Sequence, residues 1–400
     1  MALKLSRRVE RIEISPTMKI SQLAIEMKAR GENLIDLSVG EPDFPTPENI
    51  KEEGINSIKN NFTKYTINSG IIELRRAISE KFKREHNLDY KPEEIIVSSG
   101  AKQSIFNTIM SLVDDDDEVI IPSPYYVSYP HMVSLANGKS IIIETKEENG
   151  FKITSELLSQ AITSKTKLLI LCNPSNPTGT AYSKKELEEL IPVLEENDFY
   201  ILSDEIYEKL VYDDFKFISI ASLSEKIKNK TVIINGHSKS YSMTGWRIGY
   251  AAGPIEIIKA MNKIQSHSTS NASSISQRAA LAALLGPQDY VEFSRNEFQK
   301  RRDILYNELT SINGIKCYKP QGAFYLFPNV SFYFGKHSGN ITINNSFDLA
   351  LYLLNQAKVA VVPGSVFGAE GYIRLSYSTS VENLIEGAKR IKEALQRLVS

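Results

Sequence analysis

The sequence predicts an α/β protein built on a mostly parallel sheet, and three observations lead to this class. Short apolar runs alternate with segments whose apolar residues recur at helical spacing, the pattern of strands joined by crossover helices. Apolar residues make up 42% and charged residues 24% of the chain, as in ordinary globular proteins. The 400 residues exceed what one hydrophobic core usually covers, so we expect a second domain.

The expected elements follow one another along the first three quarters of the chain. A helix is predicted over residues 18–31, where apolar residues recur at helical spacing and Gly31 marks the end. A short strand and a proline-rich loop follow in "LIDLSVGEPDFPTPENI". Helices are then expected between the strands, for example up to residue 113 and over residues 184–196. Apolar runs predict strands over residues 95–97, 118–121, 140–143, 167–172, 199–203 and 231–234.

A different pattern begins near residue 290. A long helix is predicted over residues 287–312, and "GAFYLFPNV", "VAVVPG" and "YIRLSYS" read as short strands before a closing helix over 381–398. We therefore predict a large domain over residues 48–288 and a smaller α+β domain over 289–400. The N-terminal segment, residues 1–47, is expected to pack with the small domain.

Composition and charge narrow the possible partners. The formal net charge of −1 gives no reason to expect nucleic acid or an anionic membrane. The two cysteines, Cys172 and Cys317, lie far apart and have no zinc-ligand spacing, so we expect neither a disulfide framework nor a metal. The first twenty residues lack the apolar core of a signal peptide, and no apolar run is long enough to span a bilayer. These features indicate a cytoplasmic chain.

Chemically reactive residues follow several of the predicted strands. Gly100-Ala101-Lys102, the loop over residues 173–179, Asp204 and Ser238-Lys239 each come directly after an apolar run. The carboxyl ends of parallel strands lie at the same edge of a sheet, where α/β proteins bind ligands. We therefore expect one binding site at this edge.

Lys239 stands out, because lysine normally lies on a solvated surface. A lysine amine can instead form a Schiff base with an aldehyde cofactor. Arg247 and the helix beginning at Gly100-Ala101-Lys102 would suit a phosphate. Asp204 could pair with a protonated ring nitrogen, and Tyr207 could reach a phenolic oxygen if a helical turn follows Asp204. Pyridoxal phosphate carries all four of these groups.

Two other motifs would indicate different enzyme classes. Gly236-His237-Ser238-Lys239-Ser240 partly matches the G-x-S-x-G turn of a serine hydrolase, although its last residue is Ser240 rather than glycine. A triad would need a histidine downstream, and His267 and His337 are the candidates. The G-x-G-x-x-G fingerprint of nicotinamide enzymes does not occur after a strand.

The motifs in combination resemble the class I aminotransferases of the aspartate aminotransferase family. The resemblance covers nearly the whole chain and is closest to the bacterial-type subgroup, some members of which also accept prephenate. It implies the fold-type I architecture of pyridoxal phosphate-dependent transferases, a homodimer, and amino transfer from aspartate to 2-oxoglutarate. Its motifs are "GEPDFPTP", "KYTINSGIIELR", "GAKQSIFN", "SPYYVSYP", "NPSNPTG", "SDEIYEKLVY", "SKSYSMTGWRIGYAAG" and "IRLSYSTS".

The resemblance also implies roles for residues around the cofactor. Lys239 matches the lysine that binds the cofactor covalently and then shuttles a proton. Asp204 matches the partner of the ring nitrogen, Tyr207 that of the phenolic oxygen, and Tyr126 the aromatic residue stacked on the ring, where close relatives carry tryptophan. The residues matching the phosphate cradle and the remaining cofactor contacts are Gly100, Ala101, Lys102, Asn176, Ser238, Arg247 and, from the partner subunit, Tyr65.

Other matches concern the substrate. Arg374 matches the arginine that binds the α-carboxylate, and Gly40 matches a residue at the same end. Asn176 matches the asparagine that touches both the cofactor oxygen and the substrate carboxylate, and Tyr126 is also expected to contact the substrate. Lys102 and Thr17 match the pair that holds the distal carboxylate in the bacterial-type subgroup. A dicarboxylate substrate is therefore favoured.

Alternatives remain open at this stage. A prephenate, aromatic or alanine aminotransferase would share every one of these motifs. A non-catalytic regulator that binds pyridoxal phosphate is a third class, although no basic extension precedes Leu34. His237 and Gly236 depart from the family pattern, and the sequence gives no physical reason for an imidazole two residues before Lys239.

Overall fold

The computed structural model describes residues 5–12 and 16–399, with the side chains of residues 16–19 and 21 left outside the description. The α-helices are α1 Arg7–Glu10, α2 Pro16–Ala29, α3 Glu48–Lys59, α4 Ile72–His86, α5 Ala101–Leu112, α6 Ser128–Leu135, α7 Ser155–Ala161, α8 Lys184–Glu196, α9 Glu225–Lys228, α10 Ile255–Ser266, α11 Ser274–Leu285, α12 Asp289–Thr310, α13 Ser346–Tyr352 and α14 Val381–Gln396. The strands are β1 Ile35–Asp36, β2 Ile95–Ser98, β3 Glu118–Ser123, β4 Lys139–Glu144, β5 Thr166–Cys172, β6 Tyr200–Asp204, β7 Thr231–Gly236, β8 Gly249–Ala252, β9 Tyr325–Leu326, β10 His337–Ser338, β11 Ile341–Thr342, β12 Val359–Ala360, β13 Val362–Pro363 and β14 Ile373–Ser376.

A seven-stranded sheet forms the centre of the molecule, in the order β2-β8-β7-β6-β5-β3-β4. Strands β3 to β7 pair in parallel, whereas β8 runs antiparallel to both β7 and β2. The carboxyl ends of β2, β5, β6 and β7 therefore lie at one edge. This edge carries the residues that the sequence singled out.

Both faces of the sheet are buried, which explains the continuous apolar runs of its strands. In β5, Leu168 and Ile170 pack on one side with α5, α6 and α10, while Leu169 and Leu171 pack on the other side with α7 and α8. Helix α8 begins with a capping box formed by Ser183 and Glu186. Alternate side chains thus enter two separate cores, as the period of a strand requires.

The last hundred residues and the N-terminal segment share another apolar core. Strand β1 pairs in parallel with β12, and β13, β14 and β9 form an antiparallel sheet. Ile20, Met27 and Leu37 belong to the same buried cluster as Phe298 and Leu395. This packing agrees with the expected association of the N-terminal segment with the small domain, whose boundaries remain a prediction.

Every strand predicted before residue 240 is present, with ends shifted by no more than two residues. The closing helix is Val381–Gln396, and the long helix before it is Asp289–Thr310. Strand β8 was not predicted, because "GYAA" is short and rich in small residues. The helix expected over 18–31 begins and ends two residues earlier, with Gly31 at positive φ beyond its end. Among the described residues, none of the helices has the length and apolar character needed to cross a membrane.

Candidate active site

A cavity of about 540 Å³ opens at the carboxyl edge of the central sheet. Its walls come from the ends of β5, β6 and β7, the start of α5, the loop before α3, and the small β9–β14 region. A site of this size suits a small molecule and its substrate. Predicted site residues among its lining are Gly40, Ala101, Lys102, Tyr126, Asn176, Asp204, Tyr207, Ser238, Lys239, Arg247 and Arg374.

Lys239 is the third residue after the end of β7, and its side chain lines the cavity. Its Nζ donates a hydrogen bond of 2.5 Å to the carbonyl oxygen of Gly40. Burial lowers the pKa of Lys239 to about 8, and Arg374 and Arg247 act in the same direction, against the field of Glu41. The side chain is therefore readily converted to the neutral amine, the nucleophilic form.

Asp204 ends β6 and is 4% exposed. Its Oδ2 accepts a hydrogen bond of 2.6 Å from the phenol of Tyr129, and its Oδ1 accepts one of 3.3 Å from the Ile206 amide. Burial raises the pKa of Asp204 to about 6, although the bond from Tyr129 opposes the rise. At neutral pH the group is a buried carboxylate facing a cavity, which is suited to a cationic partner.

Tyr207 follows Asp204 on a turn, and both side chains line the cavity. The segment after Asp204 is a single turn closed by the bond from the Glu208 amide to the Glu205 carbonyl, not an α-helix. The hydroxyl of Tyr207 lies 2.9 Å from that of Tyr325. Burial raises the pKa of Tyr207 well above its usual range, so it is a neutral hydrogen-bonding group.

Arg374 lies in β14 and is 7% exposed. Its Nη1 donates to Asn176 Oδ1 at 3.0 Å, and its Nη2 donates to the Ser38 carbonyl at 2.7 Å. The guanidinium also stacks over the ring of Tyr325, 4.5 Å from its centroid. Arg374 and Asn176 therefore form one polar wall of the cavity, with hydrogen-bond donors available for a carboxylate.

The start of α5 and Arg247 form a second basic wall. Gly100 has a φ of +89° and precedes the first turn of α5, where the amides of Ala101 and Lys102 have no partner among the hydrogen bonds of the described residues. A Cβ on Gly100 would lie 2.6 Å from Nη2 of Arg247, so glycine allows the guanidinium to approach the helix end. The Arg247 guanidinium itself donates to the Thr244 carbonyl at 3.0 Å. Together these groups provide an anion site.

Lys102 and Tyr126 form the side of the cavity between these two walls. The Lys102 Nζ lies 5.4 Å from the centroid of the Tyr126 ring. Tyr126 in turn packs edge to face against Tyr129 at 5.4 Å. The predicted partner of Lys102 is Thr17, which belongs to α2 but whose side chain lies outside the described residues.

Tyr65 and His237 occupy other positions. Tyr65 is 91% exposed and does not line the cavity, as expected of a residue that acts in a partner subunit. His237 is buried beneath the Lys239 segment, where it stacks on Tyr241 and packs edge to face against Tyr250. Burial, and next to it Lys81, lowers the pKa of His237 to about 3. The imidazole is thus a neutral side chain packed in the aromatic core, and it does not line the cavity.

The hydrolase motif finds no support in the geometry. Neither His267 nor His337 lines the cavity that contains Ser238. Sequence reasoning also missed three residues of the site: Tyr129, Tyr325 and Glu41. Tyr129 could have been suggested by its place one helical turn after Tyr126. Tyr325 and Glu41 have no local signal, because their contacts are with residues distant in the chain.

The arrangement combines a reactive amine, a buried carboxylate, a neutral phenol and two basic walls. One wall offers a helix N-terminus and a guanidinium to a phosphate, and the other offers a guanidinium and an amide to a carboxylate. Asp204 lines the same cavity. Such a set fits a flat, cationic, phosphorylated ring with an aldehyde, together with an amino acid.

Comparison with protein families gives one matching description for nearly the whole chain. The model for "Aminotransferase class I and II" matches residues 32–391. The probable aspartate/prephenate aminotransferase of Rickettsia conorii is 50% identical over 393 residues, which cover 98% of each chain. The aspartate aminotransferase of Bacillus subtilis is 48% identical, over 99% of this chain and 100% of that one.

Solved structures are similar over the same length. The aspartate aminotransferase of Rhizobium meliloti superposes with a TM-score of 0.96 at 45% identity and covers 100% of both chains. The aspartate aminotransferase of Thermus thermophilus, in a structure with maleate, has a TM-score of 0.91 at 42% identity, over 98% of this chain and 100% of that one.

Proposed function

Because this chain belongs to the class I and II aminotransferases, we propose that it transfers the amino group of aspartate to 2-oxoglutarate with pyridoxal phosphate as cofactor. Oxaloacetate and glutamate are the products. The observation that carries the proposal is the convergence of Lys239, Asp204 and Arg374 on one cavity. Lys239 follows β7, Asp204 ends β6 and Arg374 belongs to β14, and each supplies one of the functions that amino transfer needs.

The described residues fit the cofactor on two structural grounds. Because Gly100 has no Cβ, the Arg247 guanidinium lies close to the start of α5, so that one phosphate could meet both the guanidinium and the amides of α5. Asp204 is a buried carboxylate with a phenol donor but no cationic side chain in hydrogen-bond contact, and a protonated ring nitrogen would supply the missing positive charge. We assign Gly100, Ala101, Lys102, Ser238 and Arg247 to the phosphate end, and Tyr126, Asn176, Asp204 and Tyr207 to the ring.

The proposed mechanism divides the work among these residues. Pyridoxal phosphate, when bound, supplies an aldehyde for the amino group and a ring that withdraws electrons from Cα. Lys239, which its lowered pKa of about 8 makes available as a neutral amine, would hold the aldehyde end of the cofactor and would take up the proton that leaves the substrate's Cα. Asp204 would hold a proton at the ring nitrogen, and Tyr207 would donate to the phenolic oxygen.

Arg374 and Asn176 orient the substrate. The guanidinium binds the α-carboxylate through two parallel hydrogen bonds, so that Cα–H faces Lys239. Gly40 leaves the carboxylate room at this end, since a Cβ there would lie 3.3 Å from the Tyr325 hydroxyl. Lys102, with Thr17, would bind the distal carboxylate of aspartate or glutamate. The Thermus structure contains maleate, a dicarboxylate, in agreement with this preference.

A homodimer is part of the proposal. Tyr65 is exposed and would reach the phosphate only in a neighbouring copy of the chain. Ile55, Ile58 and Ile67 are also exposed, and α3, which carries the first two, packs on α11. An apolar surface beside Tyr65 is what a second copy of the chain would cover. We also retain the cytoplasm as the proposed location.

A second candidate is amino transfer to prephenate. The Rickettsia conorii relative is named a probable aspartate/prephenate aminotransferase. Prephenate carries a second carboxylate on its ring, which Lys102 could also bind. An aromatic or alanine aminotransferase would not need that cation.

The experiment is a panel of amino donors and 2-oxo acids with purified protein, together with Lys239→Ala. We expect the highest kcat/KM with aspartate and 2-oxoglutarate, and loss of turnover and of the cofactor's absorption band in the variant. Retained turnover in Lys239→Ala would refute the assignment of the lysine. A kcat/KM for prephenate far above that for oxaloacetate would favour the second candidate.

A further inference from the structure

The turn that carries Tyr207 is held in place from the side that faces away from the cavity. Asp204, Ile206 and Tyr207 line the cavity, whereas Glu205 and Glu208 do not. Both glutamates are buried, at 0% and 4% exposure. Buried carboxylates are costly unless they are paired, so each is expected to have a definite structural role.

Each glutamate makes contacts that fix the turn. Glu205 Oε1 accepts hydrogen bonds from Ser203 and Ser219, at 2.8 and 2.6 Å. Glu208 forms an ion pair of 2.5 Å with Lys81 and lies 2.7 Å from Nε2 of His86. Lys81 and His86 belong to the last turns of α4. Helix α4 thus contacts the turn at Glu208, the residue that follows Tyr207.

Both members of the ion pair between Lys81 and Glu208 are buried. The side chains of Lys81 and Glu208 are 4% and 2% exposed. Although burial acts in the opposite direction, Lys81 and His86 lower the pKa of Glu208 well below its usual range, so the carboxylate is charged. Ligand atoms of Glu85, His86 and Glu208 lie within 4.8 Å of one another, but the Lys81 ammonium lies among them and takes the place that a cation would need.

A second contact joins the same two segments. Lys209 Nζ lies 2.6 Å from Glu85 Oε2, and Glu85 is four residues from Lys81 on α4. The turn itself has few backbone hydrogen bonds, from Glu208 to Glu205 and from Leu210 to Tyr207. Backbone bonds to other segments lie at its two ends, where the Glu205 amide donates to the Ile234 carbonyl and the Leu210 carbonyl accepts from the Ala323 amide. Between these ends, the side-chain contacts with α4 support the turn.

The position of Asp204 does not depend on these contacts with α4, whereas the position of Tyr207 does. Asp204 is a member of β6, paired with Cys172 and Ile234, and is held by Tyr129. Tyr207 has no strand to support it, and its hydroxyl meets only Tyr325 among the hydrogen bonds of the described residues. A shift of the turn would move this hydroxyl first.

We propose that Glu208, clamped by Lys81 and His86, is a positioning residue that sets the location of the Tyr207 hydroxyl in the cofactor site. This inference rests on the proposed function, in which Tyr207 donates to the cofactor's phenolic oxygen. Glu208 itself touches neither cofactor nor substrate and acts through the turn.

The test measures pyridoxal phosphate binding and the pH midpoint of its absorption change in the full-length protein. Glu208→Gln removes the charge and keeps the shape, and we expect the dissociation constant to rise about tenfold, a coupling of ordinary size between neighbouring residues. In a Tyr207→Phe background the same change should add nothing to either quantity, because the hydroxyl through which Glu208 acts is absent. Equal effects in both backgrounds would overturn the proposal.

Stability is separated from positioning by two further variants. Lys81→Met with Glu208→Leu replaces the pair by apolar groups, which often restores the resistance of a protein to urea. We expect the urea midpoint to recover in this double variant while cofactor binding stays weak. Lys152→Met breaks an ion pair of 2.9 Å with Glu186, whose side chain is 40% exposed, away from the cavity, and should lower the urea midpoint without weakening cofactor binding.

The outcomes distinguish this inference from the proposed function. If the unaltered protein binds no pyridoxal phosphate, the proposed function fails. If it binds the cofactor and turns over, but the double variant binds as tightly as the unaltered protein, only the inference fails. The inference would also fail if cofactor affinity fell in proportion to the urea midpoint in all variants, including Lys152→Met. Glu208 would then have only a structural role.

Discussion

The phenol of Tyr129 donates a hydrogen bond of 2.6 Å to Oδ2 of Asp204, and both buried residues line the cavity. Tyr129 comes from α6 and Asp204 from the end of β6, 75 residues apart. The bond lowers the pKa of Asp204 against the larger effect of burial, which raises it to about 6. Tyr129 therefore helps to keep Asp204 ionised near neutral pH.

Tyr129→Phe should make Asp204 harder to ionise. Loss of a hydrogen bond to a charged acceptor is worth roughly 1.5–3 kcal/mol, and one pH unit corresponds to about 1.4 kcal/mol. We expect the acid limb of pyridoxal phosphate affinity to move to higher pH by about one unit. Titration of cofactor binding between pH 5 and 8 measures this. Tyr125→Phe, which removes a nearby phenol not bonded to Asp204, is the control, and an equal displacement in both variants would contradict the prediction.

Asp204→Asn should stabilise the protein without cofactor. The folded-state pKa of Asp204, about 6, lies above the unfolded value of 3.8, so the folded state binds the proton more tightly and loses stability as pH rises between these values. The pKa difference corresponds to a gain of up to about 3 kcal/mol at pH 7, and the gain should nearly disappear at pH 4. Urea unfolding at the two pH values tests it.

The same variant should lose activity, because an amide cannot hold a proton at the ring nitrogen as a carboxylate does. Asp198→Asn alters an exposed aspartate and should change the free energy of unfolding by no more than about 0.5 kcal/mol. A variant at Asp204 that is less stable than the unaltered protein at pH 7 would contradict the burial argument.

Lys102→Met should discriminate between classes of substrate. The ammonium lies beside Tyr126 at the side of the cavity, where the distal carboxylate of a dicarboxylate would bind. One lost charge-assisted hydrogen bond corresponds to a fall of about tenfold or more in kcat/KM for aspartate. We expect the value for phenylalanine to change by less than about twofold. Lys102→Arg keeps the charge and should retain most of the preference. Equal losses for both donors would place Lys102 outside substrate selection.

The sequence predicted the family and the α/β fold class, and both are confirmed. The strand ends were readable because each is an apolar run that stops at a polar residue, as at Asp204 and Ser98. Because this pattern involves only adjacent residues, it can be recognised without knowledge of the fold. Lys239 and Arg374 were found in the same way, through motifs of adjacent residues, and the structure brings them to one cavity.

Contacts between distant segments were beyond the reach of the sequence. Tyr207 and Tyr325 meet across 118 residues, and the approach of their hydroxyls depends on how the small domain packs. His237 is a second residue whose contacts the sequence does not show. Its position two residues before Lys239 has no explanation in the sequence, whereas in the structure its side chain packs in the aromatic core with Tyr241 and Tyr250. Only the fold determines on which side of the Lys239 segment a side chain lies.

Mixed dimers test whether Tyr65 acts across subunits. Lys239→Ala and Tyr65→Ala should each be impaired as homodimers, the first for lack of the amine and the second for lack of a phosphate contact. When the two are unfolded and refolded together, each heterodimer contains one site with both residues intact. Random pairing makes half of the dimers mixed, so activity should return to about a quarter of that of the unaltered protein. Activity no greater than the average of the two variants would place Tyr65 within its own subunit's site or outside the site altogether.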